Sequence, residues 1–525
     1  MSQTKAQLLG PLVADNVDVN GDLDFDSGTL KLDPTNNRVG INNSSPTTTL
    51  DVGGDIKLSG DITATGNITL KDLNYTADYP TIRPTLDLAF AKTKQLDSRI
   101  TFTRNSIGTY TDENGIIKTA AVDEPRFDHD YTTGESLGLL IEESRTNLLS
   151  YSTSFNLWSS ISLLSISVNS QTAPDGTQTA ANFIFPTNPA STPYCTQLYT
   201  FSNAAHTFSV FAKYNGIQYL WLNMWDGGVS RRAIFDIQNG TLGSTQNSPS
   251  GQTITAYPNG WYRCTITATT GASSGDVSIR FANSSSDFAS DTITGNGVDG
   301  QYIWGAQLEQ GAFATSYIST SGSTATRDAD IATITGTNFS SWYTPNQFTL
   351  YGEGRSITGT SNVGGSAALV SIDDNTNNYR FILRRSNGTN QALPTPGYSG
   401  FTFRYYKLDD SLNLDAFPPS YSGSSQYDAT GVIPSYWTDT SLHKMVMSTN
   451  NSDISQLAGY GDGYSANFAN TGNGFTGTET LTPYTQATQM QIGNGASSKY
   501  WNGQISRITY YPRRLNNSQL QNITL

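Results

Sequence analysis

Thiol and imidazole groups are scarce in this chain of 525 residues, which has two cysteines and three histidines. Two cysteines exclude a disulfide framework and a cysteine-rich zinc site. Cys195 and Cys264 read as small buried residues, with pairing open if they face each other across a sheet. His129, His206 and His443 are too few for a histidine-rich metal centre, so neither a metal nor a cofactor is expected. Charge is also scarce, at 14% of residues against about 25% in an average soluble protein. The formal net charge is −13 and there is no basic run. Nucleic acid is therefore not an expected partner, nor is an anionic membrane surface. No stretch of about 18 apolar residues occurs, so no membrane-spanning helix and no membrane insertion are expected. The opening "MSQTKAQLLGPLVADN" lacks an apolar core and a small-residue cleavage pattern, and no secretory signal is expected.

Ser, Thr, Asn and Gly fill the polar surface instead, and Tyr is prominent among the aromatic 11% of residues. Val, Ile, Thr, Tyr and Phe favour strands, which biases the chain strongly towards β structure. In "DVGGDIKLSGDITATGNI" three hexads each end in Gly, then Asp or Asn, then Ile. Val52, Ile56, Leu58, Ile62 and Ile68 all fall at even positions, while the acids and Lys57 fall at odd ones. Period two is the signature of a strand, and a hexad keeps the same face inward in every repeat. The narrow apolar edge is too small to be buried by one chain. Three chains winding round one axis bury it, with those five residues packed at the centre. The competing reading is a single β-sheet edge or an ordinary hairpin meander. Asp18, Asn20 and Asp22 have the spacing that opens a calcium loop, but the glycine is misplaced and Thr29 stands where Glu is needed, so an alternating strand explains them better.

From about residue 147 to 327, and again from 328 to 525, short apolar runs such as "HTFSVFAKY", "QYLWLNMW", "DVSIRFA" and "YRFILRRS" alternate with Gly, Ser, Asn and Pro clusters. Regular strand spacing with turn signals predicts two β-sandwiches. The stretch "TLDLAFAKTKQLDSR" reads as a short helical piece without a strict apolar stripe. In "QYLWLNMWDGG", Leu220, Leu222 and Met224 form one strand face, the better core. Tyr219, Trp221, Asn223 and Trp225 form the other, beside Asp226. Aromatic rings with amide and carboxylate neighbours suit the apolar faces and polar rims of sugars; packing against a neighbouring subunit or domain is the equal alternative. Tyr405, Tyr406 and Asp409 in "FRYYKLDD" form a second candidate site, for a glycan or an anionic receptor, against a solvated strand end as the stronger reading. "VDEPRFDHD" gathers acids without the fixed separation a glycosidase needs. "GASSG" fits a nucleophile elbow but precedes a strand rather than a helix. "GNGVDG" and "GNGFTG" open no helix. No catalytic residue is assigned, and the chain is not expected to be an enzyme.

"NRVGINNSSPTTTLDVGGDI" resembles segments of tailed-bacteriophage fibre proteins that feed a fibre shaft, and residues 84–152 resemble a module recurring in virion proteins, especially of marine phages. "PNGWYRCTIT", "YIWGAQLEQGAFATSYI" and "NLLSYSTSFNLW" are similar to strands of carbohydrate-binding-module jelly rolls, and "WNGQISRITYYPRRLNNSQLQNI" to the end of laminin-G or concanavalin-like ones. The resemblance implies an all-β chain: a virion-attachment peptide at 1–14, a trimeric β shaft at 15–75, a connector module at 76–146 and jelly rolls at 147–327 and 328–525. The same resemblance makes Leu86 to Phe90 a strand just as well as a helix. It implies a homotrimeric tail or other virion fibre, assembled in the host cytoplasm, joined to other virion proteins through its N-terminus and attached to host surface polysaccharide. The acidic chain makes neutral sugars the expected ligands. A polysaccharide-degrading tail spike and a non-adhesive decoration or adaptor fibre are the alternatives.

Overall fold

A computed structural model describes residues 23–25, 30–33, 35–52, 82–187, 193–288, 295–356, 366–375, 380–386, 400–406, 413–417, 441–450, 453–461, 464–465, 467–470, 487–495 and 500–525. Strands make up 52% of the chain and helices are few, so the all-β expectation holds. The chain divides into two compact units, residues 1–74 and 75–525. In the first, strands Leu23–Phe25, Leu30–Asp33 and Arg38–Ile41 pair in antiparallel order, and Leu50–Val52 adds to the last in parallel.

The second unit is built from two sandwiches, one inserted into the other. Among the described residues the inserted sandwich has two six-stranded sheets. One runs in the order Ser160–Ser162, Tyr194–Thr200, Ser274–Ala282, Tyr219–Trp225, Ser230–Asp236, Thr241–Gln246. The other runs Ser165–Gln171, Ala180–Ile184, Gly300–Gln310, Ala204–Asn215, Trp261–Thr270, Gly251–Tyr257. Alternating residues fill the space between them. Leu220, Leu222 and Met224 meet Val277 and Ile279 of the first sheet and Phe208, Val210 and Ile266 of the second, all without solvent exposure. Each such side chain contributes about 1.5–3 kcal/mol by leaving water. Cys195 and Cys264 sit in this core as free thiols. Burial pushes both thiols above their ordinary range, which leaves them inert, as small apolar residues would be.

The outer sandwich is assembled from both ends of the unit. Strand Gly503–Tyr511 lies inside one sheet, paired with Gln347–Ser356, Ser136–Ile141 and the short Leu86–Leu88. In the facing sheet Ile331–Thr335 pairs with Thr101–Thr103 and Gln489–Ile492. The stretch expected as a connector thus supplies strands to the same sheets as residues 328–525. Its ambiguous segment is both a strand, Leu86–Leu88, and a short helix, Phe90–Thr93. Leu86, Leu88 and Phe90 join Leu139, Leu369 and Ile505 in one core. The inserted sandwich enters and leaves through a two-stranded neck, Arg145–Asn147 against Ala325–Arg327.

One backbone position controls the seam between early and late strands. Gly138 has φ +102° at a bulge in strand Ser136–Ile141, and a Cβ there would lie 2.1 Å from the Ile505 carbonyl oxygen. Left-handed strain costs about 1–3 kcal/mol before the clash is relieved by parting the strands. Gly138→Ala is therefore expected to lower unfolding free energy by at least about 2 kcal/mol in chemical denaturation; a change below about 0.5 kcal/mol contradicts this account of the seam.

Candidate functional site: the outer face of the inserted sandwich

The strand Tyr219–Trp225 turns Leu220, Leu222 and Met224 into the core. Its other face carries Tyr219, Trp221, Asn223 and Trp225, and the register of the sheet lays residues from neighbouring strands beside them. Trp221 stands between Arg280 and Ile234, Asn223 between Ser278 and Arg232, and Trp225 between Asp276 and Ser230. One strand further, Tyr194, Thr196 and Leu198 stand opposite Arg280, Ser278 and Asp276. Trp221 and Trp225 are four residues apart, so the face runs about 13 Å along the strand between them.

Its two ends differ. At one end Trp221 is buried. The Arg232 guanidinium lies 4.9 Å and that of Arg280 5.5 Å from its ring, and Arg280 also lies 5.0 Å from the ring of Tyr194. Phe288 meets Trp221 edge-on at 5.4 Å, and Tyr219 packs into the same cluster with Ile234 and Ala282. Of the expected aromatic platform, Tyr219 and Trp221 are thus folded into side-chain packing at this end. At the other end Trp225 is 38% and Leu198 66% exposed, an accessible apolar surface flanking Asp276.

Between the ends the floor is polar. Asn223 Nδ2 donates to Ser278 Oγ at 3.2 Å and Arg280 Nε donates to the same oxygen at 3.1 Å. Arg232 Nη1 donates to Gln246 Oε1 at 2.8 Å. Among the buried polar atoms on this face, Trp221 Nε1, Asn223 Oδ1 and Asp276 Oδ1 have no hydrogen-bond partner among the described residues. Burial raises the Asp276 carboxyl, against the opposing pull of Arg280 and Ser278. Buried polar groups nearly always find partners, and each exception calls for a water or a ligand.

Asp226 has a different job from sugar binding. It accepts from the backbone N–H groups of Gly228, Val229 and Gly271 at 3.2, 2.9 and 2.8 Å, and from Arg231 Nη1 at 2.7 Å. Burial would raise its carboxyl, but these donors outweigh burial and hold it well below the usual carboxylate range. Asp226 therefore ties the turn after Trp225 to the connection at Gly271 that crosses from one sheet to the other. The "GASSG" stretch belongs to that connection and runs into strand Ser274–Ala282, with strand Trp261–Thr270 before it. In "VDEPRFDHD", Asp123, Glu124 and Asp128 accept from the backbone N–H groups of Arg104, Ala121 and Thr111. Tyr405 and Tyr406 lie in strand Gly400–Tyr406, opposite Phe381 and Arg380, and Asp409 lies outside the described residues. Val52 lies in the parallel strand Leu50–Val52, whereas Ile56, Leu58, Ile62, Ile68 and the Asp18–Asn20–Asp22 series lie outside the described residues.

Arg232, Arg280, Ser278, Asp276 and Leu198 complete the face without having been singled out in the sequence. A signal for three of them exists: in "DVSIRFA", Val277, Ile279 and Phe281 point into the core, which puts Asp276, Ser278 and Arg280 on the other side.

No protein-family model matches the chain, and neither does any curated protein. Among solved structures, the carbohydrate-binding module CBM40 of the Ruminococcus gnavus IT-sialidase, bound to alpha2,6 sialyllactose, aligns at 13% identity and a TM-score of 0.24, over 36% of this chain and 88% of that one. The leech intramolecular trans-sialidase aligns at 16% identity and a TM-score of 0.24, over 34% of this chain and 23% of that one. The Trypanosoma rangeli sialidase aligns at 11% identity and a TM-score of 0.23, over 66% of this chain and 60% of that one. At such scores none of these alignments transfers an activity or a ligand. They do correct one expectation: with sialidases among the aligned structures, the chain is no longer assigned as a non-enzyme.

Proposed function

We propose that this chain is a subunit of a phage virion fibre that attaches to the host surface by binding glycan on the outer face of the inserted sandwich. The observation that carries the glycan reading is one juxtaposition. Exposed Trp225 and Leu198 flank a floor whose buried Asn223 Oδ1 and Asp276 Oδ1 have no partner among the described residues. An indole and an aliphatic side chain cover the C–H face of a sugar ring, and a buried amide or carboxylate oxygen accepts from its hydroxyls. The virion reading is supported by the resemblance of residues 38–152 to phage fibre segments. In this reading the subunit is a homotrimer, other virion proteins hold its N-terminus, and the shaft repeats space the sandwiches from the virion.

The test uses the full-length chain and surface polysaccharide extracted from a panel of bacterial strains, with binding read by biolayer interferometry. Polysaccharide from at least one strain is expected to bind, and periodate cleavage of its vicinal diols is expected to abolish the signal. Binding that survives periodate overturns the glycan reading, as does the absence of binding across the panel when the chain still adheres to the intact cells.

A further inference from the structure

We infer that the junction between the two sandwiches holds a second binding site, for a short neutral saccharide, separate from the Trp225 face. A cleft of about 710 Å³ opens there, within the roughly 300–1,000 Å³ of small-ligand sites, which favour domain junctions. One wall is the outer face of the second sheet of the inserted sandwich. Its register sets Thr253 against Thr265 and Thr255 against Arg263, so threonine hydroxyls line that wall. Asp128 and Gln504 of the outer sandwich line the opposite one. Tyr131 and Tyr257, one from each side, stack at 4.6 Å with an interplanar angle of 14° and bring aromatic surface to the cleft.

Of the five charged side chains lining it, Asp128, Asp130, Glu142 and Arg263 are engaged within the protein, and Arg355 stands beside them. Asp128 accepts from Thr111 N at 2.7 Å and from Gln504 Nε2 at 2.7 Å. Asp130 accepts from the backbone N–H groups of Thr132 and Thr133 at 2.9 and 2.8 Å. Glu142 accepts from Arg126 and Ser316. Arg263 donates to the Thr315 carbonyl oxygen at 2.8 Å and to Ser209 Oγ at 3.1 Å. A charged ligand would have to break such pairs, whereas a neutral one leaves them intact. The buried Arg263 Nε has no acceptor among the described residues and supplies a donor for a ligand oxygen. A hydroxyl-rich wall, aromatic surface, one buried donor and four of five charged lining groups already engaged together match a neutral sugar.

The experiment uses the full-length chain with lactose, cellotriose and maltotriose as neutral probes and sialyllactose as the acidic comparator, read by saturation-transfer difference NMR titration. At least one neutral probe is expected to bind, with affinity at least about tenfold weaker in Thr253→Trp. Thr253 is exposed on its strand, so an indole there fills the cleft without entering the core. Thr253→Arg is the second plug should tryptophan alter the thermal melt. The inference is overturned if no neutral probe binds, if binding is lost in Trp225→Ala and kept in both Thr253 variants, or if sialyllactose alone binds in a Thr253-dependent way. Loss in Trp225→Ala alone leaves the proposed glycan face standing while removing the cleft, so the two readings fail separately.

Discussion

Arg126→Ala is expected to cost about 3–5 kcal/mol of stability, the range for stranding a buried charge, measured by guanidinium unfolding. Arg126 is completely buried and donates to Glu142 Oε2 at 2.7 Å, to the Thr109 carbonyl oxygen at 2.9 Å and to Asp330 Oδ2. Arg104 donates to Asp330 Oδ1 at 3.0 Å, and Arg327 lies 3.5 Å from Glu142 Oε2. This hub joins residues before the inserted sandwich, Arg104, Arg126 and Glu142, to residues after it, Arg327 and Asp330. Removing Arg126 therefore leaves two buried carboxylates short of a partner and loosens the base of the neck at the same time. A loss below about 1 kcal/mol in Arg126→Ala would show that the hub does not hold the two halves together.

The same hub sets an acid limit. Burial alone would raise the Glu142 carboxyl, but Arg327, Arg126 and the Ser316 hydroxyl and N–H outweigh it and hold it at about 2, against an ordinary 4.5. The folded state then binds this proton more weakly than the unfolded state. The stabilisation it gives is complete above about pH 4.5 and disappears as pH falls towards about 2. Asp128 works in the opposite sense: its burial raises the carboxyl and favours the folded state at the acid end. Stability of the parent protein is expected to fall across that window. The gap between parent and Arg126→Ala is expected to narrow there, since Glu142 without Arg126 has less to lose.

What could be read from the sequence was local and periodic. The alternation in "QYLWLNMW" gave both the core face and the face now assigned to ligand, because strand side chains can point only two ways. The reading of Cys195 and Cys264 as small buried residues followed from the burial habit of free cysteine. The partner of Leu86–Leu88 could not be read. Nothing in a three-residue apolar strand records that Gly503–Tyr511 lies beside it, since pairing at such separation is decided by the whole core. The role of Asp226 depended on where backbone N–H groups converge, although the Gly pair after it is a turn signal. The burial of Trp221 depended on Arg232, Arg280 and Phe288 arriving from other segments. A strand pattern shows which face a ring takes, but not what then covers it.

That coverage leaves Trp225 as the ring able to stack on a sugar at this face, and gives the remaining prediction its size. Trp225→Ala is expected to weaken glycan binding by about 2 kcal/mol, as for an interface hot spot, or roughly 30-fold per site. Fold stability should change little, because Leu220, Leu222 and Met224 keep the strand in the core while Trp225 sits at its end. Trp225→Tyr retains a ring and is expected to recover most of the affinity. On a trimer with several sites engaged, the per-site losses compound through effective concentration. Adhesion to immobilised polysaccharide should therefore fall more steeply than binding of a soluble monovalent fragment. Equal affinity of parent and Trp225→Ala for the fragment, with normal melting of both, would remove the Trp225 face as the site. An equal loss in both formats would instead retain the face and remove the multivalent fibre, because only joined sites make the immobilised format more sensitive than the soluble one.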